Sequence, residues 1–191
     1  MTRLNDELIR AVKLNKQEAV SDLLTHGAQI NAQDDLGYTV LMWAAEKGHT
    51  EMMLLLISKG ADVNMQDEFG STALMFSVWD GREEGARLLI ANGADVHAKN
   101  TYKQSVLMHA GERGHLKLAR LLIEHGAALD EDDRRYPEVT RLMQEAAEAR
   151  RRAAEEIATA EKMRTLQETV ARKQRWLRDK AKDRPKPGGL S

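Results

Sequence analysis

The side chains that could do chemistry here are six histidines and 30 carboxylates, in a chain with no cysteine. Without cysteine there is no thiolate nucleophile, thiolate metal ligand or disulfide framework. His109 and Glu112 lie three residues apart, so on a helix they would share a face and could share a metal ion. No further ligand is spaced to complete such a site, and two residues seldom hold a metal. No glycine-rich phosphate loop, nucleophile elbow or HExxH pattern occurs. The expectation is a non-catalytic protein with no metal and no cofactor.

What remains is the chemistry of binding, and it recurs along the chain. Leu36, Phe69 and Tyr102 stand 33 residues apart, as do Met42, Met75 and Met108, and the same period carries Gly27-Ala28, Gly60-Ala61, Gly93-Ala94 and Gly126-Ala127. A fixed period of this length marks a solenoid, whose units bury their apolar faces only by stacking. Thr39, Thr72 and Ser105 each precede an apolar run and can cap a helix. Gly48, Gly81 and Gly114 follow about nine residues later, where a left-handed residue ends a helix. A second helical run, Glu51–Lys59 in the second unit, is closed by Gly60, and a polar stretch through Gly70 reads as an extended turn. The unit is helix, turn, helix, protruding loop.

These residues resemble a known family. LMWAAEKGHTEMMLLLISKGADVNMQD and LMFSVWDGREEGARLLIANGADVHAKN are similar to the ankyrin repeat, over roughly residues 1–136. The resemblance implies an all-α, helix-turn-helix solenoid with short hairpin loops, in repeats of about 1–33, 34–66, 67–99 and 100–132. It also implies structural hydrogen bonding for His49 and His115. Some positions depart from the family pattern. Val40, Ala73 and Val106 replace its proline, and Met42, Met75 and Met108 its histidine. Lys103 replaces the hairpin glycine of the fourth unit, which predicts a distorted loop there. Asn15 takes a glycine position in the first unit, and asparagine tolerates the left-handed conformation best after glycine.

The repeat fades into the acidic run Glu131, Asp132 and Asp133. From Glu138 to about Asp183 there is no glycine or proline, which predicts one long helix over 137–184, on the order of 65 Å. Its first part is expected to close the open end of the solenoid, and Glu148/Arg152 and Glu168/Arg172 to pair along its surface. Residues 185–191 read as a disordered tail. The first 137 residues carry 15 Lys/Arg against 21 Asp/Glu, and residues 138–191 carry 14 against 9. Basic residues around Trp176 raise a nucleic-acid or anionic-surface tether as an alternative, but Asp179 and Asp183 interrupt them, so nucleic acid is not the expected partner. Met1–Lys16 has no apolar signal core, and the longest apolar run, Met52–Ile57, is too short to span a bilayer. A cytoplasmic location is the default expectation.

The functional expectation is an adaptor that binds another protein through its hairpin tips and inner helices. The methionine row lies beside the buried leucines and reads as core. Leu36, Phe69 and Tyr102 sit at loop tips, where large apolar groups have less structural use and contiguous exposure marks an interface. Trp79 has Glu46 and Glu112 as its repeat equivalents, so its position faces water. Leu36, Tyr38, Phe69, Trp79 and Tyr102 are the expected apolar anchors, with Glu46, Lys47, Lys59, Asp80 and Arg113 as the polar rim. Self-association through the long helix is the remaining alternative.

Overall fold

The repeated caps and glycines cut the repeat region into short helices of two to three turns. A computed structural model describes residues 3–128 and 135–182, with side chains through residue 176. Among the described residues the helices are α1 (Arg3–Lys13), α2 (Gln17–Thr25), α3 (Val40–Lys47), α4 (Thr50–Ser58), α5 (Ala73–Trp79), α6 (Glu83–Ala91), α7 (Val106–Glu112), α8 (Leu116–Glu124) and α9 (Pro137–Lys182). Thr39, Thr72 and Ser105 accept the backbone N–H of Met42, Met75 and Met108 at 3.1, 3.4 and 2.9 Å. In the first of these the Met42 sulfur accepts the Thr39 N–H in return, at 3.3 Å. Each cap satisfies one of the free donors of a helix start and is worth about 1 kcal/mol.

Packing then orders the units. Each odd-numbered helix from α1 to α7 packs on the even-numbered helix that follows it, α1, α3, α5 and α7 stack one on the next, and α4, α6 and α8 form a second row. Leu41, Leu74 and Leu107 are buried in the first row, and Leu56, Leu89 and Leu122 in the second. Met42, Met75 and Met108 are buried with them, as expected of core rather than of a soft surface. Side-chain amides stitch the repeats: Asn31 and Asn64 each accept a backbone N–H from the next unit, Asp62 at 2.9 Å and Asp95 at 2.8 Å. The hairpins are linked as well, Glu68 N–H donating to Leu36 O at 3.2 Å and Thr101 N–H to Phe69 O at 2.8 Å.

The fourth hairpin corrects one expectation. Lys103 adopts φ 62 in place of glycine, yet its N–H still bonds Asn100 O at 2.9 Å, the partner that Gly70 finds in Asp67 O at 3.0 Å. The loop keeps its form, and the strain of a left-handed lysine, about 1 kcal/mol, is absorbed. Asn15 is left-handed too, with φ 54.

The chain divides into two compact units, the first ending at Ala146 and the second beginning at Ala147. The start of α9 therefore belongs with the repeats. Val139 is 1% exposed, and Leu142, Met143 and Ala146 pack against the core. Tyr136 lies over Gly111, where an added Cβ would meet its Cγ at 2.7 Å, and its hydroxyl donates to Glu112 Oε1 at 3.0 Å. The second unit is helix to Lys182, with the pair Glu148–Arg152 at 3.7 Å. Glu168 pairs with Arg164 at 3.4 Å rather than with Arg172. The acidic run 131–133 and the tail 185–191 lie outside the described residues.

Two glycines test this architecture from opposite sides. At Gly60 φ is 89 and nothing lies within 4 Å of an added Cβ, so only the backbone conformation forbids a side chain. Gly60→Val is expected to lower stability by more than about 1 kcal/mol. Gly111→Ala is expected to lower it by displacing Tyr136, so Tyr136→Ala combined with Gly111→Ala should destabilise by less than the sum of the single changes. Urea unfolding curves measure both.

Candidate functional site: the hairpin and inner-helix groove

The site is built from one turn motif used three times. Asp34, Asp67 and Asn100 each open a hairpin and accept two backbone N–H groups on a single side-chain oxygen. Asp34 Oδ1 receives Leu36 and Tyr38 at 3.1 and 3.0 Å, Asp67 Oδ1 receives Phe69 and Ser71 at 2.9 and 2.8 Å, and Asn100 Oδ1 receives Tyr102 and Gln104 at 3.0 and 2.9 Å. Short polar side chains that bond their own downstream backbone favour such turns. The motif aims the residues two and four places on, and five of these six, Phe69, Tyr102, Tyr38, Ser71 and Gln104, line a common depression.

That depression, about 350 Å³, is lined by Tyr38, Phe69, Phe76, Trp79 and Tyr102, with Asp67, Ser71, Met75, Asn100, Gln104 and His109. Its rings come from three successive hairpins and from α5. Tyr38 tilts against Phe76 with centroids 4.8 Å apart and against Trp43 at 4.9 Å. Trp79 is 36% exposed and Tyr102 68% exposed, so both offer uncovered apolar surface.

Four of the five expected anchors thus meet in one groove: Tyr38, Phe69, Trp79 and Tyr102. Leu36 is exposed at its hairpin tip and does not line the depression. The expected rim divides. Arg113 lies over the Trp79 ring, 3.8 Å from guanidinium carbon to centroid, a contact worth about 0.5–1 kcal/mol. Glu46 pairs with Lys47 at 2.8 Å, and Lys47 stands 5.6 Å from the Trp43 ring. Asp80 is the exposed C-cap of α5, whereas Lys59 is the C-cap of α4 in the second helix row and takes no part in the groove. Phe76, Asp67 and His109 are site residues that sequence reasoning did not assign to binding. A reading of which residue faces the hairpin acid in each repeat could have found Asp67.

His109 sits at the groove's inner end. Its ring meets Trp79 edge-on at 5.2 Å, its Nδ1 is buried without a hydrogen-bond partner, and Glu112 Oε2 lies 3.8 Å away, beyond hydrogen-bond length. Burial pushes its pKa down; Glu112 opposes that, and Arg113 adds to it. Among the described residues no group of three or more potential ligands could hold a metal ion. His26 and His125 use Nδ1 on the backbone carbonyls of Asp22 and Leu121, at 2.7 and 2.9 Å, which makes them structural.

Family models for ankyrin repeats match the chain, as three copies over residues 8–100 and a further repeat over residues 102–134. The chain belongs to the ankyrin repeat family. No curated protein matches it. Ankyrin repeats are generally protein–protein interaction modules, and the groove lies where their hairpins meet their inner helices. No described helix is long and apolar enough to cross a membrane.

The His109 environment sets a pH dependence. With its folded-state pKa below the ordinary 6.5, the unfolded chain binds more protons between the two values. The stability of the ankyrin domain is then full above the ordinary histidine value and lost as pH falls through it. The melting temperature should drop between about pH 7.5 and about pH 5, and drop less in His109→Phe, which places the Phe76 side chain of the preceding repeat at this position. Paired thermal melts of the two proteins across that range measure it.

Proposed function

We propose that this protein is a non-catalytic adaptor that captures a partner protein in the groove between its hairpins and inner helices. The observation that carries this reading is the convergence of Tyr38, Phe69, Phe76, Trp79 and Tyr102 on one depression. Interfaces draw most of their energy from a few aromatic and arginine side chains seated in such places. Trp79 with Arg113 above it and Tyr102 at the rim supply those types, while the core of the repeats does not require them. Glu46, Lys47, Asp80 and Arg113 then form the charged edge that selects among partners.

The second unit supports a further role in assembly. Ile157, Met163, Leu166 and Val170 are all exposed along α9. Of these, Met163, Leu166 and Val170 stand three and four residues apart and share one side of the helix. A short stripe of this kind suits pairing with another helix, and a mass that rises with protein concentration would reveal it.

The principal test uses Trp79→Ala. The variant is expected to keep its helical content and to lose no more than about 1 kcal/mol of stability, because its equivalents in the neighbouring repeats are glutamates. It should nevertheless lose most of the protein captured by the whole chain from native lysate after mild cross-linking. Unfolding of the variant would make Trp79 a core residue, and an unchanged set of captured proteins would remove the groove from the interface.

A further inference from the structure

The three hairpin residues Asp34, Asp67 and Asn100 use their first oxygen identically and their second polar atom differently. Asp34 Oδ2 accepts Trp43 Nε1–H at 2.9 Å and lies 3.9 Å from Lys13 Nζ, and that ammonium sits 3.5 Å over the Trp43 ring. Asn100 Nδ2 donates to Gln104 Oε1 at 2.8 Å. Asp67 Oδ2 is buried and has no hydrogen-bond partner, in a residue only 7% exposed.

The difference follows from the sequence one period on. Trp43 becomes Phe76, which has no N–H, and Lys13 becomes Glu46, which has no positive charge and pairs with Lys47 instead. Both groups that satisfy Asp34 are therefore replaced by groups that cannot satisfy Asp67. A buried carboxylate oxygen without a donor is unfavourable. Asp67 also lines the depression, alongside the rings of Tyr38, Phe76, Trp79 and Tyr102. Its surroundings are negative: after burial, the fields of Asp67, Glu46 and Asp34 push the Tyr38 hydroxyl pKa up. Arg113 lies on the Trp79 face and Lys13 and Lys47 lie at the Trp43 ring, and among the described residues no lysine or arginine lines the depression.

We propose that the groove binds a lysine side chain of the partner protein, its ammonium directed to Asp67 Oδ2 and its methylene stem against the ring walls. The arrangement repeats, between two proteins, what Lys13, Trp43 and Asp34 do within this one. An ammonium over aromatic faces and beside a carboxylate gains from both. The selection of a lysine rests on the reading of the groove as a protein-binding surface and adds the chemistry of the residue it recognises.

The test follows the Trp79 indole N–H resonance of the full chain during titration with Nα-acetyl-lysine methylamide and with the norleucine amide, which lacks the ammonium. The lysine amide should shift the resonance saturably and bind roughly fivefold or more tightly than the norleucine amide. Asp67→Asn should abolish that preference while melting normally, since Asn100 makes the same two backbone bonds with an amide. Glu46→Lys should place the chain's own ammonium at Asp67, raise the melting temperature and suppress lysine binding. Equal binding of the two amides, or a preference that survives Asp67→Asn, overturns the lysine proposal and leaves the groove as an apolar protein-binding surface. If neither amide shifts the resonance, the lysine proposal falls. The adaptor reading falls with it only if Trp79→Ala also captures the same proteins as the native chain.

Discussion

No repeat of this protein can bury its own apolar face, and the rest of the structure depends on that constraint. A helix of seven to nine residues is too short to hold together in water by its own hydrogen bonds. Stacking supplies what length does not. Leu41, Leu74 and Leu107 in one row and Leu56, Leu89 and Leu122 in the other make a continuous core from units that have none. The stack must then be closed. Val139, Leu142, Met143 and Ala146 at the start of α9 cover the last unit, and Tyr136 settles over Gly111 because a glycine leaves room for its ring.

Stacking in register also decides what the protein can recognise. It superposes equivalent positions of successive repeats, so a residue's neighbours across the stack are set by the residues one period away. Lys13 beside Trp43 and Trp79 beside His109 occupy the same pair of positions, two repeats apart. Changing the side chains at those positions leaves the fold alone and rewrites the surface. That freedom is what allows Asp34 to be satisfied within the chain while Asp67 is not.

The hairpins add rigidity to this surface. Each is pinned by a side-chain oxygen that takes two backbone N–H groups, and neighbouring hairpins bond through Leu36 O and Phe69 O. The aromatic residues they carry are held by a scaffold already ordered before any partner arrives. Preorganisation of this kind lowers the entropy lost on binding.

The sequence by itself determined the period, the helix pairs, the caps at Thr39, Thr72 and Ser105, and the left-handed glycines. These are local decisions, made by a hydroxyl three residues from an amide or by a backbone angle only glycine adopts easily. It also raised Tyr38, Phe69, Trp79 and Tyr102 as expected anchors, since large apolar groups at loop tips and at variable repeat positions are visible in one dimension. Tertiary structure alone decided that these four share a depression while Leu36 and Lys59 stand outside it, because side-chain direction and helix row are not written in the spacing. It alone decided that Lys103 would bear a left-handed backbone without deforming its hairpin, for the hydrogen bonds around it outweigh about 1 kcal/mol of strain. And it alone left Asp67 Oδ2 without a donor, since the groups that serve Asp34, Trp43 nine residues on and Lys13 in the preceding repeat, meet it only once hairpin and helices are packed.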